Sequence, residues 1–502
     1  MIAKARSVGL NRSIWVGVAG IAVVLLAARK LSLGVAVAAA VAMAVVLVAA
    51  AIAESLRGLV VQMRRTPLRA RGLDLGSFRM PRRAPRILMS PRGLDFLPVV
   101  VGAVGVIVAS SDDESAAAVV GLTVGALLGL LPVLVLGRLL LRDHRSGLRE
   151  RATVAISDAV DLLAPEVILY FAGSVEELYQ LQMWFEPVVR LDRRTLVVLR
   201  SDLAMDELRD APFPVISSTY NGILAALPLP SRVLTLFPTH SGNNLSMVRR
   251  RETYCVFVGH GDSDKPDSAN PYARLYDEIW VAGSLGRRRY AEAAVGIRDE
   301  AVHEVGRPQF MVPADPAPQP PVIVYAPTWE GWGDDPHHSS LPHVGLALVD
   351  ALLATPGVKV RYRPHPLTGQ RDPDLRRASD AIIARVGRVP RGEPLSVTLA
   401  GATGLVADVS SIVSEYLAYD RPYAVADTRG LGRRALSRRF PSTAGAFLLD
   451  ADLAGLDAFL AAAAGRRDAT SRARRLLVKD ALGDPLTSQD RFAAAVERVL
   501  AP

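Results

Sequence analysis

Three short stretches of the chain put reactive side chains at the ends of apolar runs, where a parallel strand delivers its last residues to a ligand. The first is Val256-Phe-Val-Gly-His-Gly-Asp-Ser-Asp-Lys265. His260 sits between two glycines, so backbone there can approach a ligand closely, and an imidazole is a base at neutral pH. Lys265 supplies a cation for a phosphate, and the Asp262, Ser263 and Asp264 turn supplies further polar groups as secondary candidates. The second is Val360-Arg-Tyr-Arg-Pro-His-Pro366. Strand alternation sends Arg361 and Arg363 to one face, and the prolines flanking His365 hold it in an extended turn. A guanidinium donates in pairs and suits diphosphate oxygens, which makes Arg363 a candidate. The third is Gly404-Leu-Val-Ala-Asp-Val-Ser-Ser411, an apolar run ending in Asp408, Ser410 and Ser411 before an amphipathic stretch that carries Glu415. Hydroxyls and free N–H groups at such a turn attract anions, although ordinary capping by Asp408 or Ser410 needs the same residues. A fourth strand-end loop, Tyr325-Ala-Pro-Thr-Trp-Glu-Gly331, offers Thr328 as a phosphate donor. Asn244, ahead of Arg249–Arg251, is a looser candidate for the acceptor side.

Other chemistries find no support. The chain has no Gly-x-x-x-x-Gly-Lys-Ser/Thr loop, no His-Glu-x-x-His and no Gly-x-Ser-x-Gly elbow. Cys255 is its only cysteine, which rules out an intramolecular disulfide framework and a multi-cysteine metal site. His337 and His338 read as part of a flexible polar loop, so no metal and no cofactor is expected.

The elements that hold these loops follow from hydrophobic spacing. From about Ala152 onward, short β-rich runs alternate with longer amphipathic ones, as parallel sheets with crossover helices require. Strands are predicted over 167–172, 195–200, 215–218, 233–237, 255–258 and 278–282. A helix is predicted over 175–189. A proline-rich run, Ala314 to Pro321, marks a boundary. A second set of strands follows over 322–325, 358–362, 404–407 and 423–426, with helices near 344–354, 373–386, 411–418, 453–465 and 488–500. The expected organisation is a module over 1–151, an α/β half over 152–314, a linker over 315–321 and a second α/β half over 322–502. A ligand cleft is expected between the halves.

The first module reads as membrane-embedded. Four apolar stretches precede residue 142: 13–28, 31–53, 96–109 and 116–136. The second and fourth are uncharged and long enough for a bilayer core of roughly 30 Å. The third is the shortest. The loop between the second and third carries ten arginines from Arg57 to Arg92, and Arg138, Arg142, Arg145, Arg149 and Arg151 follow the fourth. Asp112, Asp113 and Glu114 occupy the turn between the third and fourth. With four spans, the basic clusters share the cytoplasmic side and so does the α/β part. The formal net charge of +9 is concentrated beside the apolar segments, which favours anionic lipid over nucleic acid as its partner.

Taken in order, the four strand-end motifs resemble those of the CDP-glycerol glycerophosphotransferase family, which makes teichoic-acid-type polymers. The family shows His-Gly-Thr-Pro-x-Lys, Ala-Pro-Thr-aromatic-Arg, Arg-x-His-Pro and Asp-x-Ser-Ser with an acid further on. Here they stand as His260-Gly-Asp-Ser-Asp-Lys265, Ala326-Pro-Thr-Trp-Glu330, Arg363-Pro-His-Pro366 and Asp408-Val-Ser-Ser411 with Glu415. The resemblance spans roughly residues 243–427. It implies a GT-B-like pair of Rossmann-type domains and a metal-independent transfer from CDP-glycerol, a donor substrate, to a lipid-linked or polymeric acceptor. It also implies that His260 is the base and that His365, Ser410 and Ser411 bind the donor diphosphate. Asp262-Ser263 replaces Thr-Pro, Glu330 replaces Arg, and Glu415 replaces Asp; acid beside a diphosphate is unfavourable unless it faces hydroxyls. A nucleotide-sugar glycosyltransferase and a non-catalytic membrane scaffold of the same fold remain open readings.

Overall fold

The structure, a computed structural model, describes residues 17–29, 32–64, 66–79, 97–112, 115–265, 268–310, 320–331, 339–390 and 392–501. His337, His338, most of the proline-rich run, residues 113–114 and the arginines at 82, 83, 86 and 92 lie outside them. The chain divides into two units. One holds residues 1–69 and 74–158, the other residues 70–73 and 159–502.

In the first unit the apolar stretches are helices: α1 (Gly17–Arg29), α2 (Leu33–Arg64), α3 (Leu97–Asp112) and α4 (Ser115–Arg145). Among the described residues two helices are long and apolar enough to cross a membrane, Leu33–Arg64 and Ala116–Arg145. Gly17–Arg29 and Leu97–Ala109 are shorter apolar helices over the described residues. Small residues let α3 and α4 pack closely. A Cβ on Gly121 would lie 2.6 Å from the Gly105 Cα, and one on Gly125 would lie 2.5 Å from the Pro98 carbonyl oxygen. Arg64 and Asp143 pair at 2.6 Å between the C-terminal ends of α2 and α4. A further helix, α5 (Leu148–Leu163), leads into the second unit.

The second unit contains two sheets, with parallel pairing among the strands of residues 167–304 and among those of residues 322–449. Strands β2 (Val167–Phe171), β3 (Thr195–Leu199) and β5 (Val233–Phe237) are buried at every residue. Burial on both faces is why they read as unbroken apolar runs rather than alternating ones. With β1 (Arg69–Arg71), β4 (Val215–Ser217), β6 (Thr253–Phe257), β7 (Glu278–Val281) and β8 (Val302–Glu304) they form an eight-stranded sheet in the order β1-β4-β3-β2-β5-β6-β7-β8. The second sheet runs β10-β9-β11-β12-β13, from β9 (Val322–Ala326), β10 (Lys359–Tyr362), β11 (Gly404–Ala407), β12 (Tyr423–Ala426) and β13 (Phe447–Leu449). In both, the chain leaves the central strand, builds outward and returns to its other side, which makes a switch point where ligands bind.

Three strands were not anticipated: β1, β8 and β13 are three residues each. The helix predicted over 175–189 is broken into Val175–Glu177, Tyr179–Gln182 and Phe185–Val189. The helix Ser488–Leu500 packs on the first sheet, not the second. Phe492, Val496 and Val499 share a core with Val167, Leu169 and Trp184.

Candidate functional site

His260 follows β6 through Gly259, whose φ of 63° is open to glycine at little cost. The Trp184 indole N–H donates to the Gly259 carbonyl at 2.7 Å and fixes this turn. The His260 Nδ1 lies 2.9 Å from the Pro238 carbonyl oxygen. A carbonyl only accepts, so Nδ1 carries the proton and Nε2 keeps its lone pair. Burial lowers the imidazole's pKa below its ordinary value; the Pro238 bond and Glu177 work against this, and Arg307 adds to it. His260 is thus a neutral base with one nitrogen free to accept.

His365 has the opposite tautomer. The Leu367 N–H donates to its Nδ1 at 3.2 Å, which leaves the proton on Nε2. That N–H points to the Tyr179 hydroxyl at 3.3 Å. Burial, with His260 and Lys265 nearby, pushes this imidazole down to about 3. The ring stacks on Trp329, with centroids 5.5 Å apart and planes 13° from parallel.

The loops of the two halves meet directly. A Cβ on Gly261 would fall 2.6 Å from the Ser411 Cβ and Oγ, so only glycine permits this approach. Lys265 Nζ donates to Thr328 Oγ1 at 3.0 Å, and the Thr328 N–H donates to Asp408 Oδ2 at 2.8 Å. Asp408 has no exposed surface, and burial pushes its carboxyl up to about 6 against bonds from Ser340 and Thr328. Asp408 therefore acts through Thr328 and offers no face of its own. Ser410 donates its hydroxyl to the Asp408 carbonyl at 3.2 Å and begins the helix Ser411–Tyr416.

Other candidates are engaged elsewhere. Arg363 gives one arm to Thr398 and the other to the Glu393 carbonyl at 3.0 Å, while Arg361 grips the Glu393 carboxylate at 2.8 Å. Alternation did put both arginines on one face, but Glu393 occupies it. Arg289 clamps Asp262 and Asp264, and Asp264 also accepts the Ser442 N–H at 2.6 Å. This loop braces the two halves. The Lys265 N–H donates to Ser263 Oγ at 3.2 Å, a local turn. Asn244 is buried and donates to the Thr239 carbonyl and the Tyr276 hydroxyl, both at 2.8 Å. Glu415 pairs with Arg307 at 3.1 Å, both buried; burial raises the carboxyl's pKa although Arg307 opposes it.

The concern over Glu330 dissolves in its surroundings. Its carboxylate accepts the N–H groups of Gly369, Arg371 and Asp372 at 3.0, 2.8 and 3.2 Å. Burial alone would raise its pKa, but these donors win and lower it. Glu330 pins the loop after His365, so its charge is spent on backbone.

Sequence reasoning overlooked Tyr179, Arg289 and Arg307. Tyr179 lay inside a stretch read as one helix, and Arg289 inside Arg287-Arg-Arg289, which looks like a solvated face. Among the described residues, no group of three or more His, Cys, Asp or Glu side chains is placed to hold a metal ion.

The strand-end loops of the two α/β halves thus converge at one seam, with a neutral imidazole on one side and hydroxyl and ammonium groups on the other. The model of the family described as CDP-glycerol:poly(glycerophosphate) glycerophosphotransferase matches residues 289–428. That is the family whose motifs the strand-end loops resemble, and the match covers under a third of the chain. The match takes in Thr328, His365, Ser410 and Ser411, while His260 and Lys265 precede it. Among solved structures, the wall teichoic acid polymerase TagF aligns over 70% of this chain and 94% of its own, at 13% identity and a TM-score of 0.45. A glycosyltransferase from Rickettsia africae ESF-5 aligns over 67% and 98%, at 10% identity and 0.42. Anabaena Alr3699/HepE in complex with UDP and glucose aligns over 66% and 100%, at 12% identity and 0.39. No curated protein matches by sequence.

Proposed function

We propose that the protein is a membrane-anchored transferase that moves glycerol phosphate, or a related polyol phosphate, from a CDP-activated donor to a cell-envelope polymer or lipid-linked acceptor. The observation that carries this reading is the pair of histidines with opposite tautomers beside the Gly261–Ser411 contact. His260 Nε2 takes the proton of the acceptor hydroxyl as its oxygen attacks the phosphorus that bears the polyol. The new bond joins acceptor oxygen to phosphorus, the bridging P–O bond breaks, and its electrons leave with CMP. Lys265 and Thr328 face the charge on the diphosphate, and the Ser411 hydroxyl adds a donor, while Ser410 fixes the turn through its bond to the Asp408 carbonyl. No metal or cofactor is assigned to the step.

The membrane part of the proposal rests on charge placement. Arginines follow both long apolar helices, Leu33–Arg64 and Ala116–Arg145, and basic ends favour the cytoplasmic side. If α2 and α4 both end on that side and α4 crosses, α3 crosses back between them. Its 16 residues measure about 24 Å, short for a bilayer, and the glycine contacts with α4 suit a tight hairpin. Together with α1 and α2 this gives four crossings, a multi-pass protein of the cell membrane with its catalytic unit in the cytoplasm. Cysteines placed at Gly76, Gly147 and Ala116 test it: the first two should label from the cytoplasmic side and the third from outside.

Incubating purified protein with CDP-glycerol, CDP-ribitol and several nucleotide sugars tests the chemistry. Release of CMP from a CDP-polyol is expected. Release of nucleotide from a sugar donor alone would replace this reading with a glycosyltransferase.

A further inference from the structure

Tyr179 comes from the first half but touches the catalytic loops of both. Its ring meets His260 edge-on with centroids 6.3 Å apart, and His365 likewise at 6.1 Å. Its hydroxyl oxygen accepts two hydrogen bonds. One comes from His365 Nε2, at 3.3 Å, because the Leu367 N–H has fixed that tautomer. The other comes from Gln180 Nε2, also at 3.3 Å. A phenol oxygen with both lone-pair directions filled still has its own hydrogen to place. Among the described residues that hydrogen meets no acceptor. Burial pushes the phenol up to about 12, so it stays protonated across the working range.

We propose that Tyr179 donates this O–H to a non-bridging oxygen of the phosphoryl group in transfer. The proposal rests on the phosphotransfer reading above and adds a residue to it. His365 and Gln180 aim the phenol, and His260, which the same ring meets edge-on, activates the acceptor. The donor then faces the atom on which charge gathers as the acceptor oxygen attacks, where one well-placed donor is worth roughly 100- to 1,000-fold in kcat.

The test is CMP release from CDP-glycerol by the full-length protein in detergent, with a bacterial membrane extract as acceptor source. Tyr179→Phe should lower kcat about 100-fold while leaving the KM for CDP-glycerol within about threefold. Binding of CMP, which lacks the transferred group, should be unchanged. Gln180→Glu should cause a similar loss by taking the phenolic hydrogen onto its carboxylate, and adding it to Tyr179→Phe should cost nothing more. A Tyr179→Phe enzyme within twofold of the parent overturns the proposal. So does a loss matched by weaker CMP binding or a lowered Tm, which would mark a packing role. If the parent itself releases no CMP from any CDP-polyol, the phosphotransfer reading falls and takes this inference with it.

Discussion

The loops that present His260 and His365 look alike in sequence, each a histidine flanked by small or rigid residues after a strand, yet they are built to opposite ends. In the first, a backbone carbonyl takes the Nδ1 proton and leaves a lone pair on Nε2. In the second, a backbone N–H fills Nδ1 and leaves a proton on Nε2. Burial keeps both rings neutral, so the difference between acceptor and donor comes from which backbone group meets each Nδ1. A histidine's role is therefore set by the backbone group that meets its Nδ1, the Pro238 carbonyl from a separate loop in one case and the Leu367 N–H two residues on in the other, which its own identity does not reveal.

The largest test of that contrast is His260→Ala. Removing the base should cut transfer by about 100- to 10,000-fold with CMP binding intact, measured by CMP release and calorimetry. His365→Ala should cost less, about 10- to 100-fold, and should leave the acidic limb of kcat/KM in place. That limb belongs to His260: activity falls as pH falls, with a midpoint below 6.5, because the lowered pKa delays protonation. If His365→Ala moved the limb, the donor and base assignments would have to be exchanged. Lys265→Ala comes next, with the KM for donor expected to rise roughly tenfold, as for the loss of one charged hydrogen bond.

The smallest effects concern stability. Glu330→Gln should lower stability by about 1–3 kcal/mol in a urea titration, with activity within a few-fold, since its three N–H partners hold a loop and touch no substrate. The buried histidines should also make the fold acid-labile. His365 is held at about 3 and His240 at about 4, both below the unfolded value. Stability is full above about 6.5 and is lost as pH falls from there toward 3, because the unfolded chain binds protons that the folded one refuses. His365→Asn should flatten part of that slope in Tm against pH.

Much of the scaffold was legible because buried parallel strands leave an unmistakable trace. The runs Val-Ile-Leu-Tyr-Phe and Val-Leu-Thr-Leu-Phe admit no other reading once turn residues bound them. Where the signal was three residues long, it failed: Arg69-Ala-Arg71 carries two charges and is a strand only through its neighbour β4. The loops that carry the strand-end motifs meet at one seam, at Gly261–Ser411 and Lys265–Thr328, since a doubly wound sheet brings such loop ends together. What the motifs could not convey was direction. Arg363 and Glu330 have the chemistry of ligands, but partners from distant loops had claimed them. Tyr179 carried no motif at all, because its importance lies in neighbours that arrive from residues 260 and 365.

The docking of the helix Ser488–Leu500 onto the first sheet has a consequence for biosynthesis. As the chain leaves the ribosome, the first half is made early but lacks the apolar cover for Trp184, Leu169 and Val167 until residues 488–500 emerge. That half waits, incomplete, while the entire second half is translated. Such delayed closure is slow and leaves apolar surface open to aggregation. Loss of the final helix by a nonsense codon would therefore strike the base-bearing half, hundreds of residues upstream, rather than the half in which the codon lies.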